Sequence, residues 1–195
     1  MFRLALIRPG SCDFDQQGRI QGKLNLPLNQ QGEEDVARLI DALKDQNVET
    51  VYSAQGEPTE DTAHQLADAL GARCKVLSGL VNVDHGLWEG MLGEDVKRKH
   101  PKVYRLWREM AENVCPPEGE TFGEVRERVL PRLEKLLRKN TSGFVLVAPE
   151  ALRGLIRSCL QEGVQGVAWE VQQQEDRWEF LQPKSLVASS PDRAQ

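Results

Sequence analysis

Two hydrophobic periods alternate along this chain. Short apolar runs predict β-strands over Phe2–Arg8, Thr50–Ser53, Cys74–Leu77 and Phe144–Ala148. Between them, apolar residues recur at the three- and four-residue spacing of amphipathic helices. Val36, Leu39, Ile40 and Leu43 form one stripe, and Ala63, Leu66, Ala67 and Leu70 form a second that stops at Gly71. Leu152, Leu155, Ile156, Cys159 and Leu160 form a third, ended by Gly163, so Cys159 reads as a small core hydrophobe. Thr121 followed by Glu124 is a capping box that opens a further helix to about Lys139, with a bend expected at Pro131.

Strands alternating with helices predict an α/β fold, a three-layer α/β/α sandwich with a mostly parallel central sheet. Residues 82–120 break the alternation with Gly86, Gly90, Gly93, Pro101, Pro116 and Pro117, and predict a lid-like insertion carrying one or two short helices. Within it, the helical spacing of Val103, Leu106, Trp107 and Met110 points to lid packing. Val167–Gln172 and Arg177–Leu181 flank a polar turn and predict a hairpin at the sheet edge. One domain over residues 1–183 and a disordered tail over 184–195 follow.

Composition narrows the function. The net charge of −5 argues against non-specific nucleic-acid binding, which needs a basic face to displace phosphate counterions. No stretch has the length and apolarity of a membrane-spanning helix, and the N-terminus leads directly into a strand, so a cytoplasmic protein is expected. The four cysteines, Cys12, Cys74, Cys115 and Cys159, form no C-x-x-C pair and read as free thiols.

The motifs carry more. Arg8-Pro9-Gly10 ends the first strand, and Gly18-Arg19-Ile20-Gln21-Gly22 and Leu26-Pro27-Leu28 with Gly32 follow. Trp88-Glu89-Gly90, Pro117-Glu118-Gly119-Glu120-Thr121 and Ala148-Pro149-Glu150-Ala151 come later. In this order and spacing the set resembles the histidine phosphatase superfamily, the phosphoglycerate mutase-like enzymes, from about residue 3 to about residue 160. The resemblance implies a pocket at the strand ends in which one histidine takes the phosphoryl group. A second histidine and two arginines hold it, and a carboxylic acid protonates the leaving oxygen.

Laid against that pattern, Arg8 and Gly10 are kept and the nucleophile position is Pro9. Asp15 stands where an asparagine would help hold phosphate. The second arginine falls on Pro58, the general acid on Asn82 and the second histidine on Pro149. Loss of a nucleophile alone costs on the order of 10⁶ in turnover. The expectation is therefore a protein that is not an enzyme, without cofactor or metal. It would act by binding or regulation toward a protein or small-molecule partner, with a homodimer left open. A vestigial pocket is expected from Arg8, Gly10, Asp15, Arg19, Gln21, Glu57, Asp84, His85 and Glu150. Glu57, Glu60, Asp61 and Glu150 cluster at two helix starts and are expected to fill the phosphate site with the chain's own anions.

Two alternatives stand beside it. One is a phosphatase or phosphomutase with a rearranged site using Arg8, His85 or Cys12. The other is a sensor for a small cationic or neutral ligand. Asp15, Glu57, Asp84, His85 and Glu150 also offer donors for a hard cation, if folding gathers them.

Overall fold

In a computed structural model that describes residues 4–109, 112–140, 143–160 and 177–182, five strands form one sheet in the order β3-β2-β4-β1-β5. β1 (Leu4–Ile7) and β4 (Phe144–Val147) lie at the centre, and all eight of their residues are buried. Burial on both faces explains why each reads as a continuous apolar run. They pair in parallel with Ile7 opposite Val147, so both chains leave the sheet on the same side. β2 (Thr50–Gln55) pairs in parallel with β4 and with β3 (Arg73–Val81), and β5 (Trp178–Leu181) runs antiparallel to β1.

Helices cover both faces. α2 (Gln30–Leu43) and α3 (Thr59–Leu70) pack Leu39, Leu43, Ala63 and Leu66 against Ala5, Ile7, Val145 and Val147. On the other face α6 (Phe122–Lys139) and α7 (Glu150–Leu160) set Val125, Val129, Leu133 and Leu155 against Leu4, Leu6, Phe144 and Leu146. The capping box forms: Thr121 Oγ1 accepts from the Glu124 N–H at 3.2 Å, and Glu124 Oε2 accepts from the Thr121 N–H at 2.7 Å. α6 is continuous through Pro131.

Two elements depart from the sequence expectation. β3 extends four residues past Leu77, because the sheet absorbs Ser78–Leu80 in a register shift between Ala54 and Gln55, with Gly79 at φ +89°. The five-residue α1 (Asp13–Gln17) is too short to leave a periodic pattern. The 82–120 segment folds as a 3-10 turn (Gly86–Trp88), α4 (Gly93–Lys99) and α5 (Pro101–Glu109) around a separate cluster of Trp88, Val96 and Trp107. The expected strand Val167–Gln172, Gly163, Met110 and the 184–195 tail lie outside the described residues.

One polar knot ties the loop after β1 to both helical and sheet neighbours. Asp35 of α2 is 1% exposed and its Oδ2 accepts from Ser11 N (3.1 Å) and Ser11 Oγ (2.8 Å). Arg177, entering β5, places Nη2 2.5 Å from the same oxygen and donates from Nη1 to Pro9 O at 2.8 Å. Burial alone would raise the Asp35 carboxyl, but the Ser11 bonds and the Arg177 charge outweigh it and hold the group below the usual carboxylate range. Asp35→Ala would strip Ser11 of its acceptor and Arg177 of its carboxylate partner. It should lower unfolding free energy by about 3 kcal/mol in a urea titration, whereas a loss under about 1 kcal/mol would show the knot to be dispensable.

Candidate functional site

The adjacency of β1 and β4 sets Arg8-Pro9-Gly10 beside Ala148-Pro149-Glu150, and Ala148 N donates to Ile7 O at 2.9 Å. Gly10 is dictated by packing: a Cβ there would stand 2.5 Å from Gly32 O and 2.7 Å from Leu28 Cδ2. Its N–H donates to Thr62 Oγ1 at 3.0 Å. Pro9, Pro58 and Pro149 are all buried. Pro58 is the residue before α3, and Pro149 the residue before α7.

Arg8 is a cation at this strand end, and carboxylates of the chain hold it. Arg8 Nη2 donates to Asp15 Oδ1 at 2.8 Å, and its Nε lies 3.9 Å from Glu150 Oε2. The other Asp15 oxygen accepts from Cys12 N at 2.8 Å, so one carboxylate bridges the guanidinium and the start of α1. Glu150 is shared with Arg153, whose side chain is 2% exposed and whose Nη2 donates to Glu150 Oε1 at 3.2 Å. Arg153 and Arg177 were not singled out by sequence reasoning. Arg153 stands between apolar stripe positions of a predicted helix and Arg177 far along the chain, and neither belongs to a motif.

Beside this charge network opens a cleft of about 230 Å³. Gln21, Lys23, Asn25, Gln55, Glu57, Glu60, Asn82 and Pro149 are among the residues that line it. Gln21 Nε2 donates to Leu24 O and Glu57 O, pinning the loop after α1 to the loop before α3. Asn82 donates from Nδ2 to Gly22 O at 2.6 Å and accepts from Val83 N, so its amide is a strut between two loops. Lys23 forms an ion pair with Asp84. The bond to Asp84 raises the Lys23 ammonium; burial alone would raise the Asp84 carboxyl, but the bond from Lys23 outweighs it and lowers the group.

Other candidates serve the scaffold. Arg19 donates from Nη1 to Gly90 O at 2.6 Å and from Nε to Gln17 Oε1 at 2.8 Å, tying its loop to the 90–92 segment. Cys12 is fully buried, and burial followed by the Asp15 charge pushes its thiol up to about 11, which leaves no thiolate for attack at neutral pH. His85 is 3% exposed and meets the Trp107 ring edge-on at 5.9 Å. Cys12 and His85 are thus removed as catalytic groups, each by burial. The five donors considered for a cation are dispersed: Asp15 and Glu150 face Arg8, Asp84 faces Lys23, Glu57 lines the cleft and His85 lies under Trp107.

Burial pushes the His85 imidazolium down to about 4, with the Asp84 carboxylate opposing. The unfolded chain binds its proton near the ordinary value of 6.5. Stability from the neutral ring is therefore full above pH 6.5 and is lost as pH falls toward 4, by about 3 kcal/mol in all. His85→Phe should remove this part of the acid destabilisation. Parallel pH–stability curves for the two proteins between pH 4 and pH 6.5 would contradict the assignment.

Comparison with known proteins places this geometry. The family model for histidine phosphatase superfamily (branch 1) matches residues 4–177. Phosphoserine phosphatase 1 of Hydrogenobacter thermophilus is 29% identical over 164 residues, covering 84% of this chain and 78% of that protein. A Mycobacterium tuberculosis protein named as bifunctional is 29% identical over 164 residues, and there the chain spans 45% of the longer protein. Among solved structures, a mycobacterial glucosyl-3-phosphoglycerate phosphatase in complex with VO3 superposes with a TM-score of 0.76 at 24% identity, covering 82% of this chain and 80% of that one. Two of these three, the Hydrogenobacter and the glucosyl-3-phosphoglycerate proteins, are named as phosphatases, which corrects the expectation that the protein is not an enzyme. Proline at positions 9 and 149 closes a phosphohistidine route there; it does not remove phosphoester chemistry as such. With the family model matched from the first central strand to Arg177, the chain belongs to the histidine phosphatase superfamily, branch 1.

Proposed function

We propose that this protein hydrolyses a small phosphomonoester in the cleft beside Arg8, through a site rearranged so that no histidine at the strand ends carries the phosphoryl group. The observation that carries the proposal is the placement of Arg8. It stands at the C-terminal end of a central parallel strand, against Glu150 at the start of α7, and Pro149, the residue before Glu150, lines the cleft. Ligands of open α/β sheets bind at such strand ends. Membership of a phosphatase family supports the reaction class.

The chemistry follows from Arg8 at the strand end and from the residues that line the cleft beside it. Arg8 holds non-bridging phosphate oxygens through charge-assisted hydrogen bonds. Glu57 lines the cleft and is exposed, which makes it the general base for a water. The water oxygen bonds to phosphorus, its proton passes to Glu57, the ester P–O bond breaks and the leaving alkoxide is protonated by solvent. The carboxamides of Asn25 and Gln55 suit a polar ester body. Phosphoserine and glucosyl-3-phosphoglycerate, the substrates in the relatives' names, are of that class.

The pure protein should release alcohol from a chromogenic phosphomonoester above a protein-free blank between about pH 5 and pH 8. Arg8→Ala should abolish turnover, and Glu57→Gln should reduce it about 10²-fold. Cys12→Ala should leave turnover unchanged, and no acid-labile phosphate should accumulate on the protein. Wild-type turnover equal to the blank, or turnover that survives Arg8→Ala, would overturn the proposal.

A further inference from the structure

Around Arg8 the chain supplies its own anion. Asp15 Oδ1 accepts from Arg8 Nη2 at 2.8 Å, its Oδ2 accepts from Cys12 N at 2.8 Å, and Glu150 Oε2 stands 3.9 Å from Arg8 Nε. This is the arrangement in which a phosphate would be held: one oxygen on a guanidinium, another on a backbone N–H, with the charge balanced. The Arg8 side chain is 14% exposed, so the contact is partly screened from water and an incoming anion competes with it directly. Arg153 does not relieve the competition, because it is already engaged by Glu150. Arg177 does not either, because it is held by Asp35.

We propose that Asp15 is the specificity-determining residue of this site: its carboxylate occupies Arg8 as an internal ligand that an incoming phosphate must displace. The proposal rests on Arg8 being the phosphate-binding group, as argued above. It has a consequence for the substrate class. Displacing one anion with another yields little net affinity, so free phosphate binds weakly. Discrimination falls to the ester body, which must find its contacts among the amides of the neighbouring cleft. Compounds with the same phosphate and a larger polar body should therefore bind better than those with a small one.

Titration of inorganic phosphate at neutral pH by calorimetry tests this without any turnover. In Asp15→Asn, the amide oxygen still accepts from Cys12 N, but the negative charge on Arg8 is gone. Phosphate should bind at least tenfold more tightly than to wild type. Asp13→Asn removes an equal charge from an exposed position of the same short helix and should change affinity less than twofold. Arg8→Ala added to Asp15→Asn should erase the gain. Asp15→Ser, which also keeps an acceptor oxygen, serves as a second variant if melting shows the amide variant unfolded. Equal affinity in wild type and Asp15→Asn, or an equal gain in Asp13→Asn, would overturn the proposal. Tighter phosphate binding without phosphoester turnover would leave this inference standing and remove the hydrolytic function, and the converse would do the reverse.

Discussion

The parallel pairing of β1 with β4 is the constraint on which the rest of the molecule depends. Ile7 opposite Val147 brings two distant stretches of chain out of the sheet side by side, where their next residues must share one small volume. Both strands are buried on both faces, so neither can slip in register without exposing apolar side chains or orphaning ladder hydrogen bonds. Everything at the candidate site inherits that placement. Arg8 faces Glu150 because the strands are neighbours, and the loop after β1 is then fixed by Gly10 against Gly32 and by the Asp35 knot.

Electrostatics give the site its character. Three arginines converge at these strand ends, and each is matched by a carboxylate: Arg8 by Asp15, Arg153 by Glu150 and Arg177 by Asp35. Breaking such pairs leaves a charge without a partner, so they stabilise the pocket and also resist an outside anion. The cleft beside them is lined by one ammonium and two carboxylates, with Lys23 already engaged by Asp84. A phosphoester that binds here exchanges internal ion pairs for external ones. That distinguishes the site from an open cradle of positive donors.

Much of this was legible in the sequence, and for identifiable reasons. Central strands and amphipathic helices announce themselves because burial imposes a period, and the Thr121–Glu124 cap is a local code read over four residues. Motif order placed Arg8, Gln21, Glu57, Asn82, Pro149 and Glu150 near one another, and the fold brings them there. What stayed hidden was set by tertiary partners. The β3 extension depends on a register shift against β2, and the burial of Cys12 and His85 depends on how their loops pack. The roles of Arg153 and Arg177 depend on carboxylates that only folding brings close. Phosphatase relatives also limit what two missing histidines imply, since residue identity at two positions excludes a route and not a reaction class.

Anion binding at this site requires that an external anion take Arg8 in exchange for Asp15. A crystal structure of the wild-type protein grown with excess orthovanadate tests it most directly. Vanadate oxygens should lie within hydrogen-bond distance of the Arg8 guanidinium, with the Asp15 carboxylate turned away from it. Vanadate seated elsewhere, or seated on Arg8 while the 2.8 Å Arg8–Asp15 bond remains in place, would contradict it.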